Sequence, residues 1–571
     1  EKGAPSCRLC LWGGALFAFY LDKLIKKCPA AYLKNKIPCD TLNPRGEKNM
    51  QNCGIMLNED PNHFYVSRMN VADEIDEAYL RSFIDQYQDT DVTDFLICAN
   101  GPLSSFPSEV LMSFSDKYFV REELGQPVDY TGTFVKTAYK IWNEKGLDLF
   151  SIWIDQCNRN GIHPWISFRM NDAHCHYDIP NVLISQNYYD HFKDFSRVRH
   201  RRQFQYYDRC RDFAILEVRK EWIAYITETL ERYSPYGIEL DFQREFDCFQ
   251  IGHEWAGIEI MTLFLKEVKE TVINAEKRIG RPIKIAVRCH ADPVYCMELG
   301  FDILKWAELQ YIDMVIPSPR FRTTDNDMPI RLWKQMLHPY HVELAGAMEI
   351  LVNQTPVGDT YEVQANTVST ALGTAANIVS QGADKLYLFN YMDTADHMIL
   401  DKSNIDSSAD ELITGETLYI NSSSAYCRLL TTAGSLEKIN KAFRRHIVTY
   451  QDKNPLWRDA RAQLPCEVQS AEEPKFIKIA TGFIPQTCST VLKLGITGNV
   501  NPKSDLELYI NSSEVRFLKE VSLEPPILTK SPVYSFEIPH TAIQQVFQVL
   551  EIFTKGKTIT IDYVEIAVIP K

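Results

Sequence analysis

Strand-like and helix-like segments alternate along most of this 571-residue chain, and this alternation constrains the fold more than any other feature. The strand-like segments are short apolar runs, and an amphipathic segment long enough for a helix follows nearly every one. Such alternation predicts parallel strands that are joined by crossover helices. The eight predicted strands lie at residues 54–58, 91–101, 163–172, 236–249, 283–292, 312–321, 341–350 and 385–393.

Eight such units in roughly 350 residues fit a (β/α)8 barrel with loop insertions better than they fit a doubly wound sheet. Neither of the glycine-rich phosphate motifs, GxGxxG and GxxxxGKS/T, follows the first strand. Their absence counts against a dinucleotide-binding or P-loop fold.

The pattern changes after about Gly415. A helix-like piece at Ser435–Ile447 precedes a proline-containing stretch, and then come short alternating runs such as KFIKIATG and DLELYIN. Short alternating strands separated by Gly, Pro and Asn predict an antiparallel β-sandwich. The predicted fold class is therefore α/β, a TIM barrel followed by a β-sandwich. We divide the chain into an N-terminal segment (1–49), the barrel (50–415), a helical linker (416–459) and the sandwich (460–571).

The net charge and the hydropathy of the sequence limit the classes of partner. The net charge of −14 argues against nucleic acid or anionic lipid as the main partner, because both attract positive fields. The apolar run Cys10–Leu21 is too short for a membrane span of about 20 residues. It is either a buried helix or the remnant of a processed leader, and a leader would favour a secreted or periplasmic protein. The sequence does not predict an oligomeric state.

The fourth predicted strand carries carboxylates on one face. Side chains alternate between the two faces of a strand, so Glu239, Asp241 and Gln243 point away from the apolar residues between them. Two carboxylates on an otherwise apolar strand are costly in an ordinary core, but they suit the C-terminal mouth of a parallel barrel. The alternative is an edge strand with one solvated face.

The ends of the predicted strands supply many polar groups, which in a barrel converge on one site. These residues are Asn58, Asn100, Arg169, Asn171, Asp172, Asp241, Arg288, His290, Arg320, Glu349, Asn390 and Tyr391. Directed donors and acceptors of this kind suit a hydroxyl-rich ligand. The three arginines also suit a carboxylate or sulfate on that ligand. The alternative is that they pair internally with Glu239, Asp241 and Asp172.

Glycoside cleavage needs two carboxyl groups, one as acid and the other as nucleophile or base. Asp241 is the first candidate, and Glu349, near the end of the seventh strand, is the second. The alternative for Glu349 is a carboxylate that stabilises the start of a helix. Glu245, in the loop after the fourth strand, could replace either residue. The sequence predicts no metal site and no cofactor.

The stretch GIELDFQRE resembles the fourth-strand region of barrel glycoside hydrolases. Together with the trailing sandwich, it is similar to the family 10-like glycosyl hydrolases of polysaccharide-degrading bacteria. In the α-amylase-like pattern the nucleophilic Asp falls on Asp241. In the chitinase-like pattern the inner acids fall on Glu239 and Asp241, but the catalytic Glu falls on Gln243, which cannot donate a proton as an acid. Neither mechanism is implied intact.

The resemblance and the strand-end inventory together predict a bacterial-type glycoside hydrolase that acts on a poly- or oligosaccharide. Asp241, Glu349 and Glu245 are its candidate catalytic residues, and Glu239 joins the other strand-end groups in binding the substrate. The alternative from another class is a non-catalytic carbohydrate-binding protein on a degenerate barrel. Gln243 is the residue that favours this alternative.

Overall fold

A computed structural model describes residues 52–116, 130–173, 195–198, 206–320, 323–353, 364–391, 423–450, 462–544 and 546–571. The N-terminal apolar run lies outside these ranges. Within them, no helix is both long and apolar enough to cross a membrane.

Eight parallel strands close into a barrel in the order β1 to β8, with β8 pairing back onto β1. The strands are β1 (Ile55–Glu59), β2 (Val92–Asn100), β3 (His163–Arg169), β4 (Gly237–Asp241), β5 (Lys284–His290), β6 (Met314–Ser318), β7 (Glu343–Glu349) and β8 (Lys385–Phe389). The predicted (β/α)8 barrel is confirmed, and all eight predicted strands are among its strands.

The helices of the barrel region are α1 (Pro61–Ser67), α2 (Glu77–Asp85), α3 (Tyr130–Tyr139), α4 (Leu149–Arg159), α5 (Leu216–Arg232), α6 (Glu254–Ile279), α7 (Pro293–Glu298), α8 (Ile303–Glu308), α9 (Ile330–Leu337), α10 (Val368–Ser380), α11 (Ser423–Thr432) and α12 (Leu436–Lys441). Several begin at an aspartate whose carboxylate accepts a hydrogen bond from a backbone N–H of the first turn. These N-caps are Asp60, Asp76, Asp148, Asp292 and Asp302.

The interior of the barrel is filled by side chains from alternate positions of the strands. Trp165 is fully buried there, and its indole Nε1 donates a hydrogen bond to Asp94 Oδ1 over 2.9 Å. The first residue of β4 is Gly237, and a larger residue would not fit there because an added Cβ would lie 2.3 Å from the Trp165 ring. Lys385 pairs with the other oxygen of Asp94 at 2.8 Å. These groups fill the N-terminal end of the barrel. The candidate functional site is therefore expected at the C-terminal end.

The C-terminal region forms two antiparallel sheets. The strands are β9 (Arg444–Ile447), β10 (Cys466–Val468), β11 (Lys475–Ala480), β12 (Ser489–Thr497), β13 (Leu506–Ile510), β14 (Ser513–Glu514), β15 (Arg516–Val521), β16 (Val533–Glu537), β17 (Phe547–Thr554) and β18 (Ile559–Ile569). One sheet has the order β9-β18-β12-β16-β15, with β10 also on β18, and the other has the order β11-β17-β13-β14. The predicted antiparallel sandwich is confirmed.

The helix-like piece predicted at Ser435–Ile447 is helical only over Leu436–Lys441. Arg444–Ile447 is instead β9, which pairs with β18 of the sandwich. The periodicity misled because the arginines of β9 are buried: Arg445 forms an ion pair with Glu565 of β18 at 2.8 Å. In the sequence, a buried arginine in a strand looks the same as an exposed arginine on the polar side of a helix. The residue that neutralises its charge is far away in the chain.

Helix α10 lies between the barrel and β9. Its residues are small, apolar or hydroxyl-bearing, and Val368–Val379 are all buried. Gly373 permits the close approach, because an added Cβ would lie 2.0 Å from the carbonyl oxygen of Arg445. Asn326 links the same elements, donating from Nδ2 to the Ile447 carbonyl over 2.8 Å. The sandwich is thereby packed directly on the barrel.

Candidate functional site at the barrel mouth

The strand register brings three predicted site residues into one row. Arg169 on β3 pairs in register with Asp241 on β4, and Asp241 pairs in register with Arg288 on β5. On the far side of the barrel, Glu349 at the end of β7 is in register with Phe389 at the end of β8. These residues all lie at the C-terminal end, where neighbouring strands present inward-facing side chains to one space.

Asp241 is fully buried and bonded on both oxygens. Arg288 Nε lies 3.0 Å from Oδ1, and Nη2 donates to Oδ2 over 3.2 Å. The backbone N–H groups of Gln243 and Arg244 also donate to Oδ1, over 2.9 and 3.1 Å. The Asp241 carboxyl group is therefore held in place by one guanidinium and two backbone N–H donors.

Arg288 joins several strands of the mouth. Its Nη1 donates to the hydroxyl of Ser318, at the end of β6, over 2.6 Å. Its Cζ lies 3.7 Å from the centroid of the Phe389 ring, at the end of β8. The guanidinium therefore reaches from β4 towards β8, and the aromatic face adds a cation–π contact to the ion pair.

Glu349 is buried but has no cation bonded to it among the described residues. Its Oε1 accepts a hydrogen bond from Asn390 Nδ2 over 2.7 Å. Burial raises the pKa of Glu349 to about 7, and the Asn390 hydrogen bond and the charges of Arg288 and Arg244 oppose this rise only in part. Tyr391 supports the strand end, since its hydroxyl donates to the Glu349 carbonyl over 3.2 Å. Glu349 can therefore carry a proton near neutral pH.

Glu239 lies on the same face of β4 as Asp241, two residues nearer the N-terminal end. It is fully buried, and the hydroxyl of Tyr387 donates to its Oε2 over 3.2 Å. Burial raises the pKa of Glu239, and the negative charge of Asp241 raises it further. The two carboxyl groups of β4 thus differ in their partners, because Asp241 is bonded to Arg288 and Glu239 to the neutral hydroxyl of Tyr387.

Arg169 is compensated internally. Its Nη1 lies 2.9 Å from Asp60 Oδ2 and 3.5 Å from Asp172 Oδ2. Internal pairing, the alternative to anion recognition for the arginines, is therefore the arrangement of both Arg169 and Arg288. Arg320 lies partly exposed two residues beyond the end of β6, on the side where its charge acts on Asp247.

Other predicted site residues bond to the loops around the mouth. Asn171 donates to the Asp247 carbonyl over 3.0 Å and accepts from the Arg211 N–H over 2.7 Å. Glu245 accepts from the Ala173 N–H over 3.2 Å. His290 Nδ1 accepts from the Asp292 N–H over 3.0 Å, and its ring lies edge-on to Tyr295. These contacts stabilise the loops, and a catalytic role for Glu245 stays a prediction.

Several polar side chains at the mouth have atoms without a hydrogen-bond partner among the described residues, and Gln243 and Asn58 are two of them. Both amide atoms of Gln243 are buried and unbonded, and so is Oδ1 of Asn58. Buried polar groups in proteins are nearly always bonded, so unbonded ones in a cleft indicate a place for water or ligand. The described residues contain no cluster of three or more metal-ligating side chains.

Four residues of the site were not identified from the sequence, namely Asp60, Ser318, Tyr387 and Phe389. Asp60 had a usable signal, because an aspartate followed by proline after a strand is typical of a helix N-cap. Its second oxygen is free to pair with Arg169. Phe389 and Tyr387 read as ordinary strand residues, and only closure of the barrel places them beside Arg288 and Glu239.

No protein-family model matches the chain, and no curated protein matches it in sequence. Among solved structures, it is similar to a glycoside hydrolase family 18 N-acetylglucosaminidase from Paenibacillus barengoltzii, with 10% identity, 52% of this chain and 69% of that chain covered, and a TM-score of 0.28. It is similar to the PgaB (BpsB) glycoside hydrolase domain from Bordetella bronchiseptica, with 11% identity, 59% and 93% covered, and a TM-score of 0.34. It is also similar to chitinase ChiA74 from Bacillus thuringiensis, with 9% identity, 91% and 98% covered, and a TM-score of 0.35.

These structural neighbours are glycoside hydrolases, but at such identities and TM-scores the likeness carries no argument about the chemistry of this chain. Membership of the family 10-like group stays a prediction.

Proposed function

We propose that this protein is a glycoside hydrolase in which Asp241 acts as the nucleophile or base and Glu349 as the proton donor. One observation supports this assignment above the others. The mouth holds one carboxyl group, Asp241, that is paired with Arg288, and another, Glu349, whose pKa is raised to about 7 by burial. Glycoside cleavage needs one carboxyl group that acts as nucleophile or base and one that can donate a proton.

The division of roles follows from the environment of each group. A proton donor must be neutral at the working pH, and within the described part of the chain the carboxyl group of Glu349 has only the neutral amide of Asn390 as a hydrogen-bond partner. A nucleophile or base must be ionised, and Asp241 is bonded to a guanidinium. Gln243 and Asn58 supply unbonded amide atoms for the hydroxyl groups of the sugar.

The test is a screen of the purified full-length chain against polysaccharides and aryl glycosides, followed by Glu349→Gln on any substrate found. Removal of the proton donor should lower kcat by about 100- to 10,000-fold. The fold should survive, because glutamine has the shape of the protonated acid. Glu259→Gln, on the exposed side of α6, is the matched control and should leave kcat unchanged. Full activity in Glu349→Gln would remove this residue from the mechanism.

One observation favours a second candidate, a non-catalytic carbohydrate-binding protein. Arg288 and two N–H groups engage both oxygens of Asp241, which is what a purely structural carboxylate would show. In that case the screen finds sugars that bind, measured by calorimetry, but none that is cleaved. Asp241→Asn would then lower stability without a turnover to lose.

A further inference from the structure

A small cavity lies beside the proposed catalytic groups, at the ends of β2 and β3. Its lining includes Asn100, Arg169 and Asp172 on the inner side and Trp222 of α5 behind them. Pro102 and Leu111, which are both half-buried, form part of its outer wall. The cavity has room for about one water-sized group, so it suits a single hydroxyl and not a whole sugar ring.

Three side chains of this lining have a buried polar atom without a hydrogen-bond partner among the described residues. They are Oδ1 of Asn100, Nε of Arg169 and Nε1 of Trp222. The side chains themselves are 2%, 5% and 2% exposed. The other polar atom of Asn100 is bonded, since Nδ2 donates to the Arg169 carbonyl over 3.0 Å. Three unbonded groups at one cavity are a set that an occupant would satisfy.

The unbonded atoms are two donors and one acceptor. Arg169 Nε and Trp222 Nε1 can only donate, while the amide oxygen of Asn100 can only accept. A hydroxyl group matches this set, because it accepts through its lone pairs and donates its one proton. A carboxylate or sulfate matches it poorly, since it has no proton to donate to Asn100.

The charges around the cavity also disfavour an anion. Arg169 is already compensated by Asp60 at 2.9 Å and Asp172 at 3.5 Å. Arg211, whose Cζ lies 5.0 Å from the centroid of the Trp222 ring, is compensated by Glu221 at 2.7 Å. Each of these two guanidinium groups is therefore already paired with a carboxylate, so an added anion would have to compete with that carboxylate for it.

We propose that this cavity is a specificity subsite that binds one hydroxyl group of a neutral sugar and rejects a carboxylate at the same position. The proposal rests on the proposed function, because a glycoside hydrolase would bind its sugar substrate at the barrel mouth. Because a hexose and the corresponding uronate differ only at C6, the proposal commits to the C6 hydroxyl: the substrate unit at this subsite is a hexose whose C6 hydroxyl enters the cavity, and not a uronic acid, which carries a carboxylate there.

The test uses the indole of Trp222 as the reporter in the full-length chain. The nine tryptophans can be labelled with 15N, and the Nε1–H signal that is lost in Trp222→Phe belongs to this residue. The probes are D-glucose, D-galactose and D-mannose, each compared with the corresponding uronate. The Trp222 signal should shift with at least one neutral hexose, because its Nε1–H gains an acceptor, and should not shift with the uronate.

Trp153 is the matched control. Its Nε1 is also buried without a partner among the described residues, but its ring packs between Phe64 and Phe83 in the apolar core. Its signal should stay in place with every probe. Trp222→Phe should weaken binding of the responding hexose by about 2- to 10-fold, the value of one neutral hydrogen bond, whereas Trp153→Phe should not.

The outcomes separate the two proposals. A Trp222 signal that ignores all neutral hexoses, or that shifts equally with a uronate, overturns the subsite, and the cavity is then only a hydration site. Cleavage of a glycoside with no such shift leaves the hydrolase standing and overturns the subsite alone. A hexose-specific shift in a protein that cleaves nothing supports the subsite and overturns the hydrolase.

Discussion

Arg288 and Asp241 face each other across β4 and β5 and form a buried ion pair, although they lie 47 residues apart in the chain. Arg288 is 1% exposed and Asp241 is 0% exposed. Neither charge could be buried alone, because the loss of hydration would not be offset. The pair uses the charge of Arg288 for Asp241, and among the described residues no cation is bonded to Glu239 or Glu349.

Removing one member of this pair should cost more stability than removing both. Arg288→Met leaves the Asp241 carboxylate buried and unpaired, and we expect the free energy of unfolding to fall by about 3–5 kcal/mol. The double variant Arg288→Met/Asp241→Asn should recover much of this loss. Chemical denaturation of Arg288→Met, Asp241→Asn and the double variant measures the coupling between the two side chains. Additive losses would show that the two side chains act independently.

The stability of the fold should depend on pH through Glu349. Its pKa is raised from 4.5 to about 7, so the folded state favours the protonated form. This contribution is fully present below about pH 4.5 and is lost as the pH rises to about 7, a difference of about 3 kcal/mol. Glu349→Gln is neutral at every pH. It should match the wild type in chemical denaturation near pH 4 and exceed it by about 3 kcal/mol near pH 8. An equal difference at both pH values would contradict the raised pKa.

Turnover should decline on the alkaline side. A proton donor is active only while protonated, so kcat should fall by about tenfold per pH unit above about pH 7. Substrates with a strongly acidic leaving group, such as nitrophenyl glycosides, need less help from the acid. Their alkaline decline should therefore be weaker. A pH profile that is identical for good and poor leaving groups would argue against Glu349 as the donor.

Replacing Gln243 with an apolar residue should raise the stability of the fold and weaken the binding of sugar. Neither of its buried amide atoms has a partner among the described residues, so Gln243→Met removes an unsatisfied group and should stabilise the fold by about 1–3 kcal/mol. Binding of the sugar should weaken at the same time. Asn171→Leu is the contrast, because its amide is bonded to the Arg211 and Asp247 backbone, and this variant should be destabilised. Thermal denaturation and calorimetric titration measure the two effects.

The packing of the sandwich on the barrel should make Gly373 intolerant of a side chain. In an exposed helix, replacing glycine with alanine stabilises by about 1 kcal/mol. Here the added Cβ would lie 2.0 Å from the Arg445 carbonyl oxygen, so Gly373→Ala should instead destabilise by about 1–3 kcal/mol. Gly101→Ala is the control, since its Cβ meets Asn62 and Asp172 at 3.5 and 3.6 Å, which is ordinary contact. A higher melting temperature for Gly373→Ala would contradict the close packing.

The order of the elements and the polar residues at the strand ends could be predicted from the sequence. Both follow from local periodicity: strand residues alternate with period two, and the strand ends carry polar groups such as Asp241, Arg288 and Glu349. It extended the helix predicted at Ser435–Ile447 wrongly over Arg444–Ile447, because the buried arginines of this strand looked like the polar side of a helix. The boundary near residue 460 stays a prediction.

The partners of each polar group, in contrast, depend on its neighbours in the folded protein. The sequence offered Arg169 and Arg288 equally as anion receptors or as internal partners, and the strand register placed each beside a carboxylate. Likewise, Arg288 is bonded to Asp241 and not to Glu349, whose pKa burial raises to about 7. Pairing and desolvation depend on neighbours that are distant in the chain, and local periodicity carries no information about them.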